Sequence, residues 1–380
     1  KQAINWYRTS DNKWNELTAN AAEHMKNMPR PEGETVMIVS EGVKPIRHHS
    51  QGKDFFEDFY FLKRGDVNQK MGKASQGFLQ VLMPEEDSIE LWQEVPPTGS
   101  MTSFRRTALA NWMVDTEAGA GQLLARVIVN RLWHHHFGRG IVSSTNDFGI
   151  QGQPPTHPGL LDWLALELIG SDWSLKHIHS LILSSYTYQQ SSASHEANAL
   201  ADPENAFFWR FSPRRLEAEA IRDSILQATG QLDKTMFGKG TLDESMRRRS
   251  IYFTVKRSKL VPMLQVFDVP EPLVSQGQRP TTTVAPQALL LLNNPHLRKC
   301  CEDSAAQLIE NNMEDHAMID LFYQRSLSRN PNKSEVQKAS GFLASQTASY
   351  KRSGVTDAKI QATADLIQLM LCLNEFCYIY

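Results

Sequence analysis

Residues 126–158 read RVIVNRLWHHHFGRGIVSSTNDFGIQGQPPTHP, a strongly apolar helix that runs into a loop dense in Gly, Pro, Asn and Asp. On a helical wheel Leu124, Val127, Ile128, Val129, Leu132, Trp133 and Phe137 point in nearly every direction, and a helix apolar nearly all round is normally buried. Its polar residues then need partners, because burying an unpaired polar group costs roughly 2–7 kcal/mol. Asn130 and His134 stack at i,i+4, as do Arg131 and His135, so two adjacent polar rows form at the C-terminal end. They are either a buried hydrogen-bond network or the wall of a site.

Outward from this stretch the chain is rich in helix signals. Gly138 reads as the C-cap of a helix over Gln122–Phe137. Pro158 opens a helix to Ile169 in its first turn. Ser174 caps Leu175–Ser185, and Ser212-Pro213 starts a helix that carries Leu216, Ala220, Ile221 and Ile225 inward until Gly230. Further helices are predicted over Ser103–Val114, Pro286–Leu292, Pro295–Ile309, Glu314–Leu327, Ser334–Ser345 and Asp357–Leu373. Arg249–Lys256 (RSIYFTVK) reads as the one strand of this half. Before residue 100 a short helix over Trp6–Met28 and a strand over Glu34–Ser40 are followed by scattered glycines, and Pro96–Ser100 marks a boundary. The fold class predicted is mainly α: a multi-helix domain over 101–380, a small β element, and an irregular N-terminal segment over 1–100 that reads as the tail of an upstream domain.

Several motifs resemble one family. NRLWHHHFGRGIV, NDFG, PTHPGLLDWLA and SLKHIHSLILSSYTYQQSS are similar to the C-terminal domain of planctomycete cytochrome-c-associated proteins, a domain of unknown function. So are DPEN, RRLEAEAIRDSIL, QRPTTTVAPQALLLLNNP and LCLNEFCYIY. The resemblance runs from about Arg105 to Tyr380, and Arg64-Gly65-Asp66 is similar to a segment just ahead of that domain. It implies an exported protein of the cell envelope or periplasm, with haem c in a separate or upstream cytochrome c module that would be its partner. It brings no established reaction.

Composition sets bounds on the rest. With 380 residues, 41% hydrophobic and 22% charged, the chain is of ordinary globular make-up and can bury a large core. Its net charge of −2 creates no field to draw it to nucleic acid. No run of about 18 apolar residues is present, so no membrane-spanning helix is expected. The chain begins at Lys1 with neither methionine nor signal peptide, as a fragment or processed product would, so the missing signal says nothing about export. None of Cys300, Cys301, Cys372 and Cys377 falls in a C-x-x-C-H pattern, which excludes covalent haem in this chain on sequence. Buried thiols acting as small hydrophobes are expected.

Candidate site residues lie at the polar interruptions. His134, His135 and His136 project about 100° apart and cannot all hold one ion. A metal site would need one or two of them plus ligands from elsewhere, such as His157, His177, His179 or Asp147, and with no complete set in the sequence no metal is expected. Their alternatives are contacts with the helix's last carbonyls or, for His135 and His136, a face toward a docked cofactor. Asn146-Asp147-Phe148-Gly149 matches a kinase tripeptide by accident, since no phosphate loop or H-R-D loop accompanies it. Either a turn stitched by Asn146 or Asp147, or a pocket role for Asp147, remains. Arg215 can pair with Glu219 at i,i+4, structurally or at a cleft. Arg247–Arg249, with Lys256, Arg257 and Lys259, reads as a solvated strand edge. In QRPTTTVAPQ (278–287), Thr283 could cap the following helix, while Arg279, Thr281 and Gln287 could hold a carboxylate or sugar hydroxyls.

The expected catalytic pair is therefore His135 and Asp147. The expected ligand-binding set is Asn130, Arg131, His134, His136, Arg215, Glu219, Arg279, Thr281 and Gln287. The histidine helix, the 146–149 loop and the 279–287 loop are predicted to line one pocket with an anion- or hydroxyl-binding floor. The function expected is an envelope module that binds or processes a small polar or carbohydrate-like substrate in a redox-linked system. The rival is a non-catalytic scaffold or interaction domain.

Overall fold

The computed structural model describes residues 4, 6, 10–27, 59–84, 88–99 and 102–380. The chain divides into two compact units, Lys1–Val39 and Ser40–Tyr380. In the first, helix α1 spans Asn12–Lys26 and begins where the Asp11 carboxylate accepts the Trp14 N–H at 2.7 Å. The strand expected over Glu34–Ser40 lies outside the described residues.

The second unit is helical, as the capping signals dictate. A short antiparallel pair, β1 (Tyr60–Leu62) and β2 (Lys70–Lys73), comes first. Helices α2 (Arg105–Val114), α3 (Gly121–Phe137), α4 (Pro158–Gly170), α5 (Leu175–Ser184), α6 (Tyr186–Gln189) and α7 (Glu196–Ala201) follow. Strand β3 (Arg214–Arg215) leads to α8 (Ala218–Ala228), α9 (Pro262–Val266), α10 (Ala285–Asn293), α11 (Pro295–Glu310) and α12 (Asp315–Leu327). The chain continues through α13 (Lys333–Arg352), α14 (Ala358–Leu371) and α15 (Asn374–Cys377) to β4 (Tyr378–Ile379).

Two large cores result. In the first, Val129, Trp133 and Phe137 of α3 meet Leu161, Leu164 and Leu168 of α4 and Ile178 and Ile182 of α5. In the second, Ile221 and Ile225 of α8 pack with Leu308, Ile319, Phe322, Leu343, Ile367 and Met370 from the helices between α11 and α14. The antiparallel β3–β4 pair lies between them. Arg214 is opposite Ile379 and Arg215 opposite Tyr378; Ile379 packs on the first core and Tyr378 on the second.

Four sequence expectations need correction. Helix α3 buries one face, with Ala125, Val129, Asn130, Trp133 and Phe137 inward and Leu123, Arg131 and His135 exposed. Arg249–Lys256 is no strand: Ser250–Tyr252 form a 3₁₀ turn, with isolated bridges such as Thr241 to Phe253 beside it. Its β-favouring residues line a groove instead of joining a sheet. Helix α8 starts at Ala218 and not at Pro213, because β4 captures the preceding residues. Finally, the chain packs across the Pro96–Ser100 boundary. Phe78 stacks on Trp112 at 5.2 Å, and the Trp92 indole donates to Asp115 at 2.8 Å.

Candidate functional site

The C-terminal end of α3 resolves into pins and pairs. Asn130 is fully buried, its amide donating to the Val142 carbonyl at 2.9 Å while its oxygen accepts the Val142 N–H at 2.8 Å. A Cβ at Gly140 would collide with that amide, so the loop closes tightly on it. Asn130 therefore holds a loop and, with no exposed surface, is closed to a ligand. His136 and His179 share a hydrogen bond at 2.8 Å, one ring nitrogen donating and the other accepting. Burial, then the neighbouring His179 and Arg214, lower the His136 pKa; burial, then His135 and Arg214, lower that of His134. His136 is thus engaged with a partner and does not face outward. His135 is exposed, and its carbonyl accepts Arg214 Nη1 at 2.6 Å, which satisfies one of the helix's free carbonyls.

Two of the three segments predicted to meet touch, the α3 helix and the 146–149 loop, and the chain just ahead of the 279–287 loop reaches them at Gly277. Arg131 donates to Asn146 Oδ1 at 3.2 Å, and Thr145 Oγ1 donates to the Gly277 carbonyl at 2.9 Å. The backbone at Gly277 lies close against the Asn146 side chain, which would have to move to admit a Cβ there. Asp147 is exposed and closes its own turn, Oδ1 accepting the Gly149 N–H at 2.8 Å. Two residues beyond Gly277, Arg279 goes to other partners, in a groove whose walls include neither His135 nor Asp147.

The 279–287 segment is held mainly from below. The buried Arg215 guanidinium binds Asp268 at 2.7 Å, the Phe267 carbonyl at 3.3 Å and the Thr282 carbonyl. It does not pair with Glu219. Burial would push the Asp268 carboxyl up, but hydrogen bonds from Thr282 and Arg215 hold it below the usual carboxylate range. Gln287 is buried and donates to the carbonyls of Val266 and Thr282 at 3.0 and 3.2 Å, so it too is a pin. Thr281 lies exposed on the outside of the segment. Thr283 does not cap α10: Val284 occupies the cap position, and the Thr283 hydroxyl meets that of Tyr378 at 3.2 Å.

What the sequence separated and the structure joins is Arg279 with the start of α8. Arg279 Nη1 contacts Glu219 at 2.7 Å and Glu217, the cap residue, at 3.1 Å. Both carboxylates line a groove of about 510 Å³ with Asp223 and Arg249. Asp223 accepts the Ser250 N–H at 2.8 Å and hydroxyl at 2.7 Å, with Arg249 3.7 Å away. Phe253, Val261, Leu264 and Val269 supply the apolar lining. Of the expected site residues only Glu219 and Arg279 lie here. Asp223 and Phe253 escaped notice and Arg249 was read as a solvated edge, although the i,i+4 spacing of Glu219 and Asp223 already puts two carboxylates on one helix face.

The groove's charges answer one another. Arg279 is balanced by two carboxylates, so the anion-binding floor expected at this arginine does not form. Carboxylates that only accept, beside guanidiniums that only donate, suit groups able to do both, which is the property of a hydroxyl. Among the described residues no three His, Cys, Asp or Glu side chains are grouped to hold a metal ion. The four cysteines are free, and burial pushes every thiol up, Cys377 to about 11. Adjacent, buried Cys300 and Cys301 do not fit the spaced, accessible thiols that covalent haem attachment needs.

The chain matches the family model PSD1, described as a protein of unknown function (DUF1553), over residues 105–343. Neither curated proteins nor solved structures provide a match.

Proposed function

Since this chain belongs to the PSD1 family of proteins of unknown function, we propose, from the groove itself, that it is a binding module for a small, uncharged, hydroxyl-rich ligand of carbohydrate type. The observation that carries this reading is Arg279 held between Glu217 and Glu219 at the rim of an apolar-lined groove. A few convergent polar groups over an apolar lining are the usual make-up of small-molecule sites. The aromatic Phe253 offers a ring against which the C–H face of a sugar can lie. The resemblance to cytochrome-c-associated proteins supports a place in the cell envelope, beside a haem c module that would link the ligand to electron transfer. The thiols of this chain do not fit that haem, so no electron-transfer step is assigned to its residues.

The test is calorimetric titration with a panel of uncharged mono- and disaccharides. Glu219→Gln and Arg279→Gln are expected to weaken binding about tenfold or more, the range for hydrogen bonds to charged groups, with an unchanged melting temperature. A panel without any binder, or binding untouched by both substitutions, overturns the reading. The scaffold reading draws on a different observation. Asn130, Arg215 and Gln287 hold loops through their side-chain hydrogen bonds. An inert panel would select it.

A further inference from the structure

The groove does not end at Asp223. A second basin of about 770 Å³ lies against α8, and Ala220, Asp223 and Arg249 line both. The first basin carries Glu217, Glu219, Phe253 and Arg279. The second carries Ser224 and Gln227 of α8 with Tyr378 of β4 and Tyr380 next to that strand. From Ala220 to Gln227 the helix alone advances about 10 Å, more than a single sugar ring covers.

We propose that the site takes a linear, uncharged oligosaccharide, laid along α8 across the Asp223–Arg249 saddle, with its reducing or non-reducing end on the Tyr378–Tyr380 side. This rests on the carbohydrate reading above and extends it from a single sugar to a chain. Two observations support it. The two basins share Ala220, Asp223 and Arg249 as lining, so they adjoin along α8. The second basin carries an exposed ring: Tyr380 is 58% exposed, its ring 6.4 Å from that of Tyr378 and tilted 41° to it. Flat, exposed rings are suited to stacking against sugar faces at small entropic cost, having few rotatable bonds. The charge pattern is mixed: Glu375 in the second basin is bound to Arg329 at 2.6 Å and Asp223 lies beside Arg249, while Arg325 also lines that basin, so a sulfated oligosaccharide belongs in the test as the polyanion control.

The experiment is calorimetric titration of the intact chain with cello-, xylo- and manno-oligosaccharides, from monosaccharide to hexasaccharide. In at least one series affinity should rise with length and then level off. Tyr380→Ala should remove about a five- to tenfold share of that gain while leaving the shortest binder unchanged, as expected for one lost aromatic contact. Glu219→Gln should weaken every length. Affinity that is flat with length, or equal losses at all lengths in Tyr380→Ala, overturns the oligosaccharide inference and leaves the single-sugar reading standing. Failure of every series at every length overturns both.

Discussion

Asn130 shows how one polar side chain can decide a local structure. Its two hydrogen bonds to Val142 fasten the loop after α3 to the helix, inside the first core. Asn130→Ala leaves a buried N–H and a buried carbonyl without partners, at a cost of roughly 1–3 kcal/mol for each group. Denaturant melts should show the midpoint falling accordingly; an unshifted midpoint would mean the loop is held by other contacts. The polar rows of α3 were legible in the sequence as either network or site wall. What separated the alternatives is a 100° step: Asn130 faces the core, and its neighbour Arg131 faces solvent. The partner that decides it, Val142, sits in an aperiodic loop where no pattern announces a contact. Arg279 and Glu219 were each conspicuous as residues, yet 60 positions separate them. No local spacing rule reaches that far.

At the scale of the element, caps carried most of the legible information. Ser174 accepts the His177 N–H at 3.4 Å, and Asn294 stops α10 and starts α11 by accepting from His296 and Leu297. Helix α13 adds a reciprocal cap: Asn332 accepts the Glu335 N–H at 3.0 Å, and Glu335 accepts the Asn332 N–H at 2.7 Å. Arg329 grips the same Glu335 carboxylate at 2.8 and 2.9 Å. That guanidinium first, and the cap second, lower the Glu335 pKa from 4.5 to about 2. A depressed carboxylate binds its proton less readily in the folded state than in the unfolded one. Its contribution is fully present above pH 4.5 and is lost as the pH falls toward 2. Glu335→Gln keeps a side chain able to reach back to the cap and removes the charge, so its melting temperature should vary less with pH across that window than the parent's. Parallel curves would assign the acid sensitivity to other carboxylates. The start of α8 was misread for the opposite reason. Ser212-Pro213 is a sound local start signal, but pairing of Arg214 and Arg215 with residues near position 378 overrides it. Local propensity yields when a distant segment supplies the backbone's hydrogen bonds.

For the molecule as a whole, the β3–β4 pair is the joint on which both cores lean. Ile379 belongs to the packing of one and Tyr378 to that of the other. Ending the chain at Cys377 removes both contacts and opens the second basin. Differential scanning calorimetry should then resolve two transitions where the parent gives one, because the cores would melt as separate cooperative units. A single transition in the shortened chain would locate the coupling elsewhere, in the 144–149 loop and Gly277. The same joint has a consequence in time. The buried residues of the first core all lie between Ala125 and Phe211, and they are synthesised well before Tyr378. At ribosomal rates the β3 segment waits for its partner on the order of ten to thirty seconds. Throughout that interval a nascent chain carries one finished core and an unpaired strand edge, and any chaperone that reads exposed backbone has its longest opportunity at Arg214 and Arg215.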